Sequence, residues 1–174
     1  MDHQVDPRLA RLIADLSERM SVLETAQADP ELVAAERASI GLAGRLASAI
    51  GQPMRLRTDA HDVMGQILDV SATWVEVAGE SGRTDVVSIS HLCAVTGLGR
   101  VTHTPRIVDL QRGWGYILRR CGAAGSRVIA RLGTLEVSGR VVGVGKDQAD
   151  IVGDDGVVGT IVAPQLHVLT VWSS

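Results

Sequence analysis

The stretch VMGQILDV at residues 63–70 returns as VSGRVVGV at residues 137–144, which is 74 positions further along the 174-residue chain. The likeness extends over residues 51–98 and 125–172, where glycines, valines and acidic residues recur at the same spacing. An internal duplication of this kind predicts two structural units with the same topology.

Each copy contains five short runs in which apolar and polar residues alternate, separated by Gly, Ser, Thr and Asp, and this predicts five strands per copy. The first copy has Met54–Arg57, Val63–Val70, Trp74–Ala78, Val86–Ile89 and Leu92–Thr96. The second copy has Arg127–Arg131, Leu135–Val144, Gln148–Val152, Val157–Ala163 and Leu166–Trp172. Near the end of the copies the best match drops one residue, which aligns Val95 with Val168. Gly65 and Gly139 lie inside the second strands, and a glycine there is typical of the sharp bend in a small barrel.

Helical periodicity is found before and between the copies. Residues 6–26 start with a capping Asp and a Pro and carry leucines three and four positions apart. Residues 29–50 form a second predicted helix, which pairs with the first as a hairpin, and residues 109–121 form a third. We therefore predict an α+β fold, an N-terminal helical hairpin followed by two five-stranded antiparallel small barrels, each preceded by a helix. The predicted segments are the helical hairpin (1–50), the first small β-barrel (51–98), the linker and helix (99–124) and the second small β-barrel (125–174).

One helix followed by five bent antiparallel strands resembles the Sm-like small β-barrel, which is itself SH3-like. The residues that carry the likeness are VMGQILDV and WVEV, then VSGRVVGV and ADIV, with the closing strands SISHLCAV and IVAPQLHV. The layout also resembles a group of uncharacterised actinobacterial proteins with a helical hairpin and two such repeats. The Sm-like resemblance implies rings that bind single-stranded RNA through an Asn and an Arg-Gly pair. This chain has no Asn and carries Ser90-His91 in place of the pair, so His91 is the residue expected to contact a base.

Composition restricts the classes of function. The net charge is −3 and 45% of the residues are apolar, so we expect a packed core. The N-terminus reads MDHQVDPRLAR, and no apolar run approaches the roughly 18 residues of a membrane span. We therefore expect no signal peptide, no membrane contact and a cytoplasmic location. Cys93 and Cys121 have apolar neighbours and are expected to be buried, reduced thiols.

No catalytic or metal-binding motif is complete. The stretch GRVVGVGK at residues 139–146 has five residues between its outer glycines and an Asp after the Lys, whereas a phosphate-binding loop needs four residues and Ser or Thr. His91, Cys93, His103 and Cys121 lack the short spacing of zinc-ligand pairs. We therefore predict no enzyme activity, no catalytic residues, no metal and no cofactor.

Eight arginines lie between residues 100 and 140, against two acidic residues, and they allow two interpretations. They form either a patch that binds the phosphates of RNA or DNA, or a seam in which they pair with acidic residues of the first copy. The residues of the nucleic-acid patch would be Arg112, Arg119, Arg120, Arg127, Arg131 and Arg140, with Trp114 stacking on a base and His91 contacting one.

The leucine stripe of residues 6–26 contains Leu9, Leu12, Leu16 and Leu23. This stripe either packs inside the chain or binds a protein partner or a second copy, as in a homo-oligomer. We favour a non-enzymatic binding, scaffold or regulatory protein that acts through protein–protein or self-association. The alternative is an RNA- or DNA-binding regulator that uses the Arg-rich patch around residues 112–140.

Overall fold

The computed structural model describes residues 41–99 and 111–172, which belong to one compact unit spanning Gly41–Ser174. The helices are α1 (Leu42–Ala47) and α2 (Trp114–Ala124), with short 3₁₀ helices η1 (Glu80–Gly82), η2 (Ile89–His91) and η3 (Ala163–Gln165). The strands of the first copy are β1 (Pro53–Thr58), β2 (Asp62–Val70), β3 (Trp74–Ala78), β4 (Arg83–Ser88) and β5 (Leu92–Thr96). The strands of the second are β6 (Arg127–Leu132), β7 (Leu135–Val144), β8 (Gln148–Val152), β9 (Val158–Val162) and β10 (Val168–Trp172). The predicted helix over residues 6–26 lies outside the described residues.

All ten strands belong to one antiparallel sheet with the order β5-β1-β2-β3-β4-β10-β6-β7-β8-β9. The joining strand is β10, which pairs with β6 of its own copy and with β4 of the other. The prediction of a helical hairpin followed by two five-stranded barrels is therefore wrong. The described chain is mostly one large sheet with two helices, of which α1 has only six residues. Alternation along a strand identifies its two faces but carries no information on which strand of the other copy it pairs with.

Hydrogen-bond register fixes the alignment of the two copies. Leu56 pairs with Val95 in the first copy, and Ala130 pairs with Leu169 in the second. Both partners differ by 74 positions, since 56 + 74 = 130 and 95 + 74 = 169. The predicted match of Val95 with Val168 is therefore wrong by one residue, because that match followed residue type rather than pairing.

The two strand glycines are required by a close backbone approach. A Cβ atom on Gly65 would lie 1.9 Å from the carbonyl oxygen of Ala78, and one on Gly139 would lie 2.1 Å from that of Val152. A register shift follows each glycine, between Ile67 and Asp69 in β2 and at the equivalent place in β7. A bulge of this kind bends the strand, as the sequence analysis expected of these glycines.

The apolar side chains form two cores, and each core includes residues of the other copy. The core beneath α2 contains Trp74 and Val86, which belong to the first copy. The core beneath α1 contains Val168, which belongs to the second copy. Cys121 is buried on α2, but Cys93 is exposed on β5, so its predicted burial is wrong. Because the two halves share side chains, we expect them to unfold together.

Candidate protein-association surface

Strand β4 of the first copy pairs directly with strand β10 of the second copy. We call this contact between the two copies the seam. Its register joins Val87 to Val168, Val86 to Leu169 and Asp85 to Thr170. All six of these residues are buried, with exposed fractions of 2% or less. The seam therefore combines a strand-to-strand hydrogen-bond ladder with desolvated side chains.

A polar network crosses the seam at its centre. The Thr170 hydroxyl donates a hydrogen bond to Asp85, with 2.6 Å between the oxygens, and accepts one from Arg131 at 2.7 Å. The second carboxylate oxygen of Asp85 accepts a hydrogen bond from Arg83 at 2.9 Å. Arg131 also pairs with Glu136 at 3.1 Å. Because the buried Asp85 carboxylate is fully paired here, its burial is compatible with a stable seam, whereas a buried unpaired charge is not.

Two histidines stack at one end of the seam. The rings of His91 on η2 and His167 before β10 have centroids 3.9 Å apart and are inclined by 26°. His167 contacts Asp59 at 3.0 Å, and His91 contacts Ser88 at 3.1 Å, in each case through Nδ1. Burial lowers the pKa of His91, and the neighbouring His167 lowers it further, against a smaller opposing effect of Asp59. The residue that sequence analysis assigned to base contact thus lies in a contact between the copies.

The sheet ends in two strands that we call the edge strands, β5 and β9. Among the described residues, β5 pairs only with β1 and β9 only with β8. Neither strand contains a charged residue or a proline, although natural sheets commonly protect their edges with both. Val158 and Val162 on β9 are 56% and 50% exposed, and Ala94 and Thr96 on β5 are exposed as well.

A groove runs beside β5 and beneath α1, and we call it the edge groove. Its volume is about 310 Å³. The residues that line it are Leu42, Arg45, Leu92, Cys93, Ala94, Val95 and Leu98. Most of these side chains are apolar, and Arg45 is the charged one.

Most of the predicted arginine patch is paired with carboxylates. Four of its members contact acidic side chains. Two of these arginines lie between the copies and contact the first copy, and the other two form pairs within the second copy. The pairs are Arg112 with Asp69 at 2.8 Å, Arg120 with Glu76 at 2.5 Å, Arg127 with Asp154 at 2.5 Å and Arg131 with Glu136 at 3.1 Å. Among the residues described, Arg119 and Arg140 form no ion pair, and both are exposed. The hydrogen bond from Arg127 holds the pKa of Asp154 below its ordinary value.

The aromatic residues near this patch are engaged inside the protein. Trp114 is 8% exposed and packs in the core beneath α2. Tyr116 lies parallel to Trp74, with 6.4 Å between ring centroids. The Arg112 guanidinium lies 5.5 Å from the Trp74 ring and 5.2 Å from the Tyr116 ring, which is within cation–π range. These contacts tie the segment before α2 to the first copy.

The remaining predictions concern partners, metals and membranes. The leucines of the N-terminal stripe (Leu9, Leu12, Leu16 and Leu23) lie outside the described residues. Within residues 41–99 and 111–172, no three His, Cys, Asp or Glu side chains come together as metal ligands. In the same residues no helix is both long and apolar enough to cross a membrane.

Sequence reasoning missed the seam and the edge strands. The duplication itself contained one signal for them, because the apolar Trp74 aligns with the polar Gln148 at the 74-residue spacing. Such a mismatch between equivalent strand positions indicates that one strand is buried in a contact while its counterpart is not.

No protein-family model matches this chain, and no curated protein matches it significantly. The resemblance to Sm-like proteins and to the actinobacterial group therefore stays a prediction.

Proposed function

We propose that this chain is a non-enzymatic binding or scaffold protein that associates through the edges of its sheet, with a protein partner or with a second copy. The observation that carries the proposal is the pair of uncharged edge strands, β5 and β9. An edge strand presents unpaired backbone N–H and C=O groups, and strand addition satisfies them while side-chain pockets give specificity.

The seam supports this proposal because it displays the same type of contact within the chain. There β10 adds to β4 in antiparallel register and buries residues on both strands. The equivalent strands at the two ends of the sheet are β5 and β9, each 74 residues away from its seam counterpart. The ends of the sheet therefore have the same topology as a contact that already forms in this protein.

Edge-blocking variants test the proposal. Ala94→Lys on β5 and Val158→Lys on β9 each add a charge to an exposed edge position. Met64→Lys is the matched control, because Met64 is 63% exposed but lies on the interior strand β2. We expect native mass measurements and pull-downs to show an oligomer or a captured partner that is lost in an edge variant and kept in the control. A strictly monomeric chain whose pull-downs are unchanged by both edge variants would contradict the proposal.

A second candidate, nucleic-acid binding, rests on the exposed Arg119 and Arg140. Because phosphate contacts release counterions, such binding must weaken steeply with salt. Replacing Arg119 and Arg140 by Glu should then reduce the affinity for single-stranded RNA at least tenfold in a fluorescence anisotropy titration. Binding that is absent, or that is independent of salt, would reject this candidate.

A further inference from the structure

We infer that edge strand β5 receives an antiparallel strand from a different protein, one that carries an acidic residue facing Thr96 and bulky apolar residues beside it. This inference rests on the proposed function and specifies its partner. The occupant is a foreign strand rather than strand β9 of a second copy. At the seam both the receiving strand β10 and the donating strand β4 are described, whereas at the edge only the receiving strand β5 is.

The seam defines what the receiving side and the donating side contribute. On the receiving side, formed by β10 and β6, Thr170 donates a hydrogen bond to the carboxylate of Asp85, and Arg131 donates one to the Thr170 hydroxyl. On the donating side, Asp85 brings the charge, while Val86 and Trp74 enter the core beneath α2 and are both fully buried. A strand that binds in this way needs an acidic residue, a branched apolar residue next to it and an aromatic residue on the neighbouring strand.

The receiving side is retained at the edge of the sheet. Thr96 on β5 is the equivalent of Thr170, since Thr96 pairs with Arg55 and Thr170 pairs with Ile129. Arg57 is the equivalent of Arg131 by the same 74-residue spacing. Both Thr96 and Arg57 are exposed, so their hydroxyl and guanidinium groups are accessible to the carboxylate of an incoming strand.

The side chains around Arg57 repeat the arrangement of the seam. Arg57 approaches Asp62 at 3.7 Å, as Arg131 approaches Glu136 at 3.1 Å, although Asp62 is bound more closely by Arg55. In the seam this arrangement leaves Arg131 able to donate to Thr170. A carboxylate brought to Thr96 would therefore meet a hydroxyl donor like that of Thr170, with the positive charge of Arg57 close by, and charge complementarity favours an acidic partner strand.

The donating side is not retained on β9. Gly159 takes the place of Asp85, since Val77 pairs with Asp85 and Ile151 pairs with Gly159. By the same spacing Thr160 replaces Val86 and Gln148 replaces Trp74, and both are exposed. A second copy would thus bring no carboxylate to Thr96.

A second copy would also bring the wrong side chains to the edge groove. That groove is lined by Leu42, Leu92, Val95 and Leu98 among others and has a volume of about 310 Å³. Burial of the polar groups of a Gln and a Thr there without hydrogen-bond partners costs free energy, whereas burial of a bulky apolar side chain is favourable. The apolar side chains of the groove therefore match Trp74 and Val86 better than Gln148 on β8 and Thr160 on β9.

The decisive experiment restores the donating side on the full chain. The triple variant Gln148→Trp, Gly159→Asp, Thr160→Val, which we call the seam-restored variant, gives β8 and β9 the residues of β3 and β4. The nearest heavy atom to a Cβ on Gly159 is 3.6 Å away, an ordinary contact, so Asp fits at this position. We expect sedimentation equilibrium to show self-association with a dissociation constant at least tenfold below that of the unmodified chain.

Two further variants locate the contact. In the seam-restored background, Ala94→Lys should return the mass to that of the unmodified chain, and Met64→Lys should not. Thr96→Val in the same background should weaken association several-fold, because the carboxylate of the new Asp loses its hydroxyl donor. A seam-restored variant that associates no more strongly than the unmodified chain overturns the inference.

The unmodified chain gives the opposing test. Strong self-association of the unmodified chain that Val158→Lys on β9 abolishes would show that a second copy fills the edge, and this overturns the inference while leaving the proposed function intact. The proposed function fails by a separate result, namely partner capture that is unchanged by both Ala94→Lys and Val158→Lys.

Discussion

Replacement of Trp74 by Ala should destabilise the whole sheet, because Trp74 lies on a first-copy strand and packs in the second-copy core. The side chain is fully buried. A buried aromatic side chain removes about 150–250 Å² from water, which corresponds to about 4–6 kcal/mol at about 25 cal/mol per Å². Within the part of the chain that the structure describes, the indole Nε1 of Trp74 has no hydrogen-bond partner. Leaving such a donor unpaired offsets about 1–3 kcal/mol of that gain. These two values leave about 1–5 kcal/mol, and the cavity left by the removed ring adds to the loss. We therefore expect the free energy of unfolding to fall by about 3–5 kcal/mol, the range found for large-to-small aromatic substitutions in cores.

The assay is urea unfolding followed by far-ultraviolet circular dichroism. Gln148→Ala is the matched control, because Gln148 occupies the equivalent strand position and is exposed. It should change the free energy of unfolding by no more than about 0.5 kcal/mol. Trp74→Phe keeps a ring and removes the unpaired N–H, so its cost should stay below about 2 kcal/mol.

Fluorescence separates a shared core from two independent ones. Trp114 on α2 packs in the core beneath that helix, and Trp172 lies on β10 of the second copy, so both report on the unfolding of that half. In the Trp74→Ala variant their transition should shift to the same lower urea midpoint as the circular dichroism signal. A loss below about 1 kcal/mol, or a second-copy transition that stays at its original midpoint, would refute the reasoning that the two copies share one cooperative core.

Three further predictions follow from individual residues. Gly65→Ala should cost about 2–4 kcal/mol in urea unfolding, because the new Cβ would meet a backbone oxygen of β3 at 1.9 Å, whereas Gly99→Ala, with open space around it, should be nearly neutral. The pKa of His91 is lowered in the folded chain, so the stability that His91 contributes is complete above its ordinary pKa of 6.5 and is lost as the pH falls below that value. His91→Gln should therefore reduce the decline in the free energy of unfolding between about pH 7.5 and 5.5. An unchanged decline would exclude His91 as its source. Burial raises the pKa of Cys121 to about 11, so a thiol reagent should label only the exposed Cys93 in the native chain and both cysteines in urea; rapid labelling of two thiols in the native chain would contradict the buried position of Cys121.

The sequence predicts the positions of the strands well because alternation is a local property. Trp74–Ala78, Leu92–Thr96, Leu135–Val144 and Gln148–Val152 coincide with the observed strands. The predicted run Val86–Ile89 misses the first three residues of β4, Arg83–Ser88, where two of the residues are charged. Alternation of apolar residues fails there because Asp85 is buried in a polar network rather than exposed.

The way the two copies join could not be predicted, because it depends on pairing between residues about 85 positions apart. Asp85 and Thr170 are ordinary strand residues in the sequence, and only their hydrogen bond makes them part of one contact. The sequence shows the arginine cluster as an excess of positive charge, but it does not show which carboxylate each arginine contacts. Arg112 and Arg120 contact acidic residues of the first copy, whereas Arg127 and Arg131 contact acidic residues of the second.

The differences between the copies explain how a duplicated chain can select one arrangement of its strands. If the copies were identical, β4 and β9 would offer the same edge to β5 and β10, and strands of different chains could pair as readily as strands of one. The residues that make β4 the better donor, Asp85 and Val86, have the counterparts Gly159 and Thr160 on β9. Each difference stabilises the pairing of β4 with β10 and disfavours the equivalent pairing of β9 with β5 of another chain, since specificity is a difference between two affinities. The same substitutions that secure the fold of one chain therefore leave β5 without a matching strand in that chain, and this is the edge where we expect the partner.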